Sequence, residues 1–305
     1  MGSMFGRGFV AAAFTAFACS LGAAASAEGI GTGRLFSNDL LGDGRDRWQS
    51  GSYVISKLRA DEPWAGVPLA FGEMREYRLR SAIIASDGLD GAPDRSYVGA
   101  LSFGVHSHFG AGTTRASIGV DVTAIGPQTG LSDLQESVHD RLGLEQVRFT
   151  DSQVDDDILF GVTAEAAELF ELSPVVVARP FGEVLLGPED IVRVGADVFV
   201  GAAMTDDVLL RDVATGQLYP GTRSQSMAGL SFVFGADVAA VADSEYLPDS
   251  GIGAATQSRA RARAGVHWRD DAWGSVFYGL TYLSPEFEDQ DEGQVTGSLQ
   301  LNFNF

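Results

Sequence analysis

From Val295 to the C-terminus, apolar and polar residues alternate without a break. Val295, Gly297, Leu299, Leu301, Phe303 and Phe305 fall on one side, and Thr296, Ser298, Gln300, Asn302 and Asn304 on the other. Successive side chains of a strand point to opposite faces, so this pattern specifies an extended segment with one apolar and one hydrophilic face. The same period governs residues 97–109, where Tyr97, Leu101, Phe103, Val105 and Phe109 oppose Ala100, Ser102, Gly104, His106 and His108. It returns in residues 259–268, with Ala260, Ala262, Ala264, Val266 and Trp268 against Arg259, Arg261, Arg263, Gly265 and His267. Segments 48–60, 69–86, 113–125, 158–172, 174–186, 191–204, 226–242 and 272–283, with a short initial strand near 33–37, bring the total to about twelve.

No later stretch reaches the ~18 consecutive apolar residues of a spanning helix. A soluble β-sandwich would also alternate, but here the polar faces are small and hydrophilic. Aromatic residues Trp48, Trp64, Tyr97, Trp268 and Tyr282 stand near segment ends, as in interfacial girdles. The expectation is therefore all-β: a transmembrane antiparallel β-barrel of about twelve strands, one domain over residues 28–305, with outer-membrane lipids as its surroundings. The final strand ending on Phe305 resembles the signal read by the barrel-assembly machinery. Residues 1–27 read as a cleaved signal peptide, from Arg7 through the apolar run 9–18 to the small residues Ala25, Ser26 and Ala27. Cleavage would remove Cys19, the single cysteine, and with it any disulfide framework or thiol nucleophile. The formal charge of −20 would become −21 without Arg7, which argues against nucleic acid as a partner.

One stretch breaks the rhythm. In residues 118–146 a strand pattern stops at Gly126 and Pro127, and a helical period follows. Ser132 with Gln135 three residues on has the form of a capping box, and Gly143 is a helix stop. Leu131, Leu134, Val138 and Leu142 recur at three- and four-residue steps, an apolar stripe expected to rest on the barrel. Gln135 and His139 are four apart and share a side. The reading is a short helix in an extracellular loop, presenting an imidazole to a groove.

An imidazole is a suitable general base near neutral pH, although the residues alone leave His139 open between that role and an ordinary loop histidine. His106, His108 and His267 could be imagined around zinc, with lumen lining as the plainer reading. No Gly-x-Ser-x-Gly elbow is present. Asn38, Asp39 and Asp46 gather oxygen donors ahead of the first long strand, a set that suits calcium or simply a Gly-rich turn.

Several blocks together resemble the outer-membrane lipid A 3'-O-deacylase family. They are Asn38-Asp39; Asp46-Arg47-Trp48-Gln49-Ser50-Gly51; Asp94-Arg95-Ser96-Tyr97; and Ile125-Gly126-Pro127 followed by Gln135, His139, Gly143 and Glu145. The agreement runs over roughly residues 35–165. The resemblance implies a calcium-dependent esterase acting on lipid A of lipopolysaccharide, with His139 as base. It implies Asn38 and Asp39 as metal and oxyanion-side residues, and Glu145, Gln49 and Ser50 as further site residues. Two features depart from the family: Trp48-Gln49 stands where a Tyr-Thr pair is common, and residues 86–93 contain no lysine. A structural or pore-like barrel with a diverged site, and a phospholipase on the same scaffold, are the competing functions.

Overall fold

The computed structural model describes residues 28–61, 70–87, 92–201, 207–222, 228–272 and 274–303. The expected signal segment, Trp64 and Phe305 lie outside the described residues. The elements in order are β1 (Glu28–Asn38), β2 (Trp48–Ala60), β3 (Met74–Ala85), β4 (Val98–Ala111), β5 (Thr114–Ile125), α1 (Leu131–Leu142), β6 (Asp157–Glu168) and β7 (Phe170–Ser173). They continue with β8 (Val176–Leu186), β9 (Glu189–Gly201), β10 (Leu209–Arg211), β11 (Leu218–Pro220), β12 (Gly229–Ser244), β13 (Ser258–Asp270), β14 (Gly274–Leu283) and β15 (Gln294–Phe303).

Twelve of these strands pair antiparallel with their neighbours and close into a barrel, through β6 with β8 on one side and β1 with β15 on the other. At the closing seam Ser37 lies opposite Ser298, and their hydroxyls are 2.8 Å apart. Closure leaves no free sheet edge, which is the condition for strands to cross a bilayer. The alternation expected from the sequence is realised along the wall strands except at bulges such as that between Trp48 and Gly51. Val120, Phe160, Val194, Phe234, Trp268 and Leu301 are exposed on the outer wall, while Arg261, Arg263, His267, Ser298 and Gln300 are buried inside. An apolar outer wall and a polar lumen invert the soluble arrangement because the solvent outside is hydrocarbon.

Two of the expected girdle aromatics belong elsewhere. Trp48 and Tyr97 are buried, at 3% and 0% exposure, because each has a polar partner within the loops. The Trp48 indole donates to Asp94 at 2.8 Å, and the Tyr97 hydroxyl to Gln135 at 2.9 Å. Trp268 and Tyr282 do face outward.

The sequence did not announce the lumen filling. The β10–β11 hairpin carries Leu210, Leu218 and Tyr219 to full burial, where they form a core with Leu35, Val54, Leu58, Phe199 and Phe277 from the wall. It enters from the end that holds Glu28 and Phe303, since it connects the last residues of β9 to the first of β12. Its backbone lies so close to β1 that a Cβ at Gly31 would meet the Gly221 carbonyl at 2.2 Å. Glycine is required there for contact, not for a turn. At its tip, Arg211 pairs with Asp197 at 2.9 Å and with Glu165, which ties the hairpin to β9 and β6.

The opposite end carries the longer described loops: residues 39–47, 86–87 with 92–97, 126–156, 245–257 and 284–293. The strands fix the bases of these loops, and buried ion pairs fix the loops to one another. Arg95, fully buried, donates to Glu286 at 2.8 Å and to the Tyr246 carbonyl at 3.2 Å, joining three loops at one guanidinium.

Candidate functional site

Helix α1 begins after Gly130, which adopts the left-handed conformation and provides no side-chain cap. Ser132 is therefore not the cap its position suggested. It lies inside the first turn, buried, and accepts from the Gln153 amide at 3.0 Å. The far end stops as expected at Gly143, left-handed at φ 67°, whose N–H bonds to the His139 carbonyl.

Of the expected apolar stripe, α1 turns only Leu131 inward. Leu131, Ser132, Gln135 and His139 are buried, while Leu134, Val138 and Leu142 are exposed at 55%, 42% and 68%. The polar residues are drawn in because partners wait for them, and the apolar stripe is left facing out, a cost in water that a membrane interface removes.

His139 is held at both nitrogens. Its Nδ1 lies 2.6 Å from the Glu145 carbonyl oxygen, and a carbonyl can only accept, so Nδ1 carries a proton. Its Nε2 lies 3.2 Å from Asp46 Oδ2. Asp46 in turn accepts from the Gln135 amide at 3.2 Å, and Gln135 accepts from Tyr97. Burial, with the Asp46 charge nearby, lifts the Tyr97 hydroxyl well above the usual phenol range, so it remains a donor. The chain Tyr97, Gln135, Asp46, His139, Glu145 carbonyl thus fixes the plane and proton of one imidazole.

This imidazole lines an open cleft of about 400 Å³ between the ends of β3 and the segment after α1. Leu40, Asp46, Ser86 and Leu144 form its walls, with Arg45 and Arg148 beside them. Glu145 serves His139 through its backbone; its side chain is exposed.

Asn38 and Asp39 stand at the start of the same loop that delivers Asp46. The Asn38 amide donates to the Ser50 carbonyl at 2.7 Å and its oxygen accepts from the Leu40 N–H. Asp39, fully buried, accepts from the N–H groups of Leu40 and Arg47 at 2.8 and 2.7 Å. Burial, helped by the carboxylates of Asp46 and Asp43 and opposed by those N–H groups, pushes the Asp39 carboxyl up to about 8.

The remaining site candidates lie apart from the cleft. The register between β2 and β3 shifts between Trp48 and Gly51, and a bulge of this kind re-aims side chains. Gln49 consequently enters the lumen, where its amide donates to Glu286 at 2.9 Å. Ser50 is buried, its hydroxyl without a partner among the described residues. The three other histidines form no common centre: His106 meets Asp121 at 3.1 Å, His108 meets Glu76 at 2.7 Å, and His267 is on β13. No group of three or more His, Cys, Asp or Glu side chains among the described residues is arranged to hold a metal.

The model of the family described as Outer membrane protein LpxR matches residues 89–305. The chain belongs to the LpxR family. The match includes His139 and Glu145 and begins after Asn38, Asp39, Gln49 and Ser50. Among solved structures, LpxR from Salmonella typhimurium is similar at a TM-score of 0.70 and 15% identity, over 88% of this chain and 98% of that one. The β domain of the Bordetella autotransporter BrkA is similar at 0.46 and 12%, over 89% and 97%. No curated protein matches the sequence. Membership in LpxR places the barrel among outer-membrane proteins, and the Salmonella structure shares its fold. Asp46 was legible only as an oxygen donor; its contact with His139 depends on the folded loops.

Proposed function

We propose that this LpxR family member is a lipid A 3'-O-deacylase that hydrolyses the ester of the 3' acyloxyacyl chain. The observation that carries the reading is the imidazole of His139, buried, oriented at Nδ1 by the Glu145 carbonyl and faced at Nε2 by Asp46, in an open cleft at the loop end. With Nδ1 committed as a donor, Nε2 is the basic atom of the neutral ring. It takes a proton from water as the oxygen attacks the ester carbonyl. The contact with Asp46 is the arrangement of the imidazolium that results, and a carboxylate there stabilises that cation. Collapse of the tetrahedral intermediate expels the sugar 3' oxygen, which receives the proton from Nε2. The products are the free acyloxyacyl acid and a 3' hydroxyl.

The oxygen donors of Asn38 and Asp39, with the carboxylates of Asp43 and Asp46 in the same loop, are of the kind that suits calcium. Asn38 and Asp39 would hold it, and the ion would supply Lewis-acid polarisation of the ester carbonyl. Arg45 and Arg148 on the cleft wall offer cationic contacts to lipid A phosphates where the family's lysine is missing. The exposed Leu134, Val138 and Leu142 offer an apolar surface to acyl chains.

The pore-like alternative is disfavoured by the hairpin that packs the lumen with Leu210, Leu218 and Tyr219. Purified protein incubated with lipid A and read by mass spectrometry tests the proposal. Loss of one acyloxyacyl mass supports it; unchanged lipid A with fatty acid released from glycerophospholipid would replace it with a phospholipase.

A further inference from the structure

Between the tip of the lumen hairpin and the loop that carries Glu286, the barrel holds a second cavity, of about 100 Å³. It is separate from the His139 cleft and shares no lining residue with it. Five arginines line it, Arg78, Arg80, Arg193, Arg259 and Arg261, against three carboxylates, Asp121, Glu189 and Glu286.

Each of those carboxylates is engaged. Asp121 faces His106 at 3.1 Å, and Glu189 accepts from Arg259 Nη1 at 2.7 Å and Ser244 at 2.9 Å. Glu286 accepts from Arg95 and Gln49. Asp237 is divided among Arg193, Arg261 and Arg263. Guanidinium N–H groups are left over: Arg80 Nε, Arg259 Nε and Nη2, and Arg261 Nη2 are buried and have no acceptor among the described residues. Arg80 and Arg261 are only 9% and 5% exposed, and Arg80 pairs with no carboxylate among the described residues, facing the Tyr246 hydroxyl instead. A native interior rarely leaves such donors unspent.

We propose that this cavity is a binding site for a small, water-borne oxyanion of the phosphate type. Guanidinium forks converging from β3 and β13 match the several acceptor oxygens of such an anion, and fork geometry is suited to phosphate and carboxylate alike. The hydroxyls of Ser102, Thr123, Thr163 and Ser284 border the same space and add neutral donors. Ser102 lies directly across the sheet from Arg80, so the anion's nearest neighbours are fixed by strand register. The strand wall separates the cavity from lipid, so the ligand arrives from water and not on a membrane headgroup. The proposal is independent of the deacylase reading, since none of its residues touches His139.

The test uses the full-length barrel in detergent at constant ionic strength, with chloride as the balancing salt so that general screening cancels. Inorganic phosphate is titrated, and the temperature of heat-modifiable migration is followed together with ³¹P NMR line width. The same titration is made with dodecyl phosphate held in the micelle. The expected result is a saturable rise in that temperature with inorganic phosphate alone, half-complete at about 1 mM or below. Arg80→Gln should weaken binding about tenfold or more. Ser102→Asp, which sets an internal carboxylate opposite Arg80, should abolish binding while leaving the barrel folded, and it carries the test if the first variant fails to fold. Absence of a saturable effect on the wild-type protein overturns the proposal. So does wild-type affinity in a folded variant, or a response to dodecyl phosphate without one to inorganic phosphate.

Discussion

Asp46 Oδ2 lies 3.2 Å from His139 Nε2, and the same carboxylate accepts from the Gln135 amide. The pair joins the first loop of the barrel to the helix of the third. Because Nδ1 is committed to the Glu145 carbonyl, Asp46 is the group that meets the imidazolium.

Replacing Asp46 by Asn therefore removes that charge while keeping the side-chain shape. We expect kcat to fall on the order of 10²-fold with little change in KM, measured on lipid A in mixed micelles. A variant of undiminished kcat would remove Asp46 from the mechanism.

The outward stripe of α1 makes a separate prediction. Leu134→Ser with Val138→Ser removes apolar surface that is already exposed, so heat-modifiable migration should be unchanged. KM for membrane-embedded lipid A should rise about 30-fold, each of the two lost apolar contacts costing about 1 kcal/mol. If KM holds while the barrel loosens, the stripe packs within the protein and not on acyl chains.

Calcium dependence is expected to pass through Asp39. Chelation should suppress wild-type turnover, and Asp39→Ala should have low turnover that no longer responds to chelator or to added calcium. Full activity of the wild type in excess chelator would remove the ion from the account.

The loop clasp should be acid-labile. Burial by itself would raise the Glu286 carboxyl, but Arg259 and Arg95, with the Gln49 amide, hold it below the usual carboxylate range. A carboxyl lowered on folding contributes stability that is full above its unfolded value near 4.5 and is lost as pH falls through its folded value. Hydrogen exchange across residues 284–293 should rise as pH drops below about 4 in the wild type, after correction for intrinsic rates. In Glu286→Gln it should be faster at neutral pH, by about 3 kcal/mol of lost protection, and flatter with acid.

The barrel was legible because period-two alternation is enforced at every strand: a slip of one residue would put Arg261 and Arg263 into lipid and Trp268 into the lumen. The lumen hairpin was not, because three-residue strands such as Leu209–Arg211 carry too little pattern to announce themselves. The helix was legible and its orientation was not. An apolar stripe by itself predicts burial, but here the hydrogen bonds of Gln135 and His139 decided which face turned in. For the site, the resemblance brought out His139 and the loop of Asn38 and Asp39. The bulge after Trp48 diverted Gln49 inward, a backbone event with no mark in residue type.

The most direct test of the account compares lipid A, by mass spectrometry, from cells producing the wild-type barrel and cells producing His139→Ala at equal levels of folded, heat-modifiable protein. The account predicts loss of the 3' acyloxyacyl mass with the wild type and none detectable with the variant, a drop of roughly 10²- to 10⁴-fold in rate. Deacylation retained by His139→Ala would contradict it.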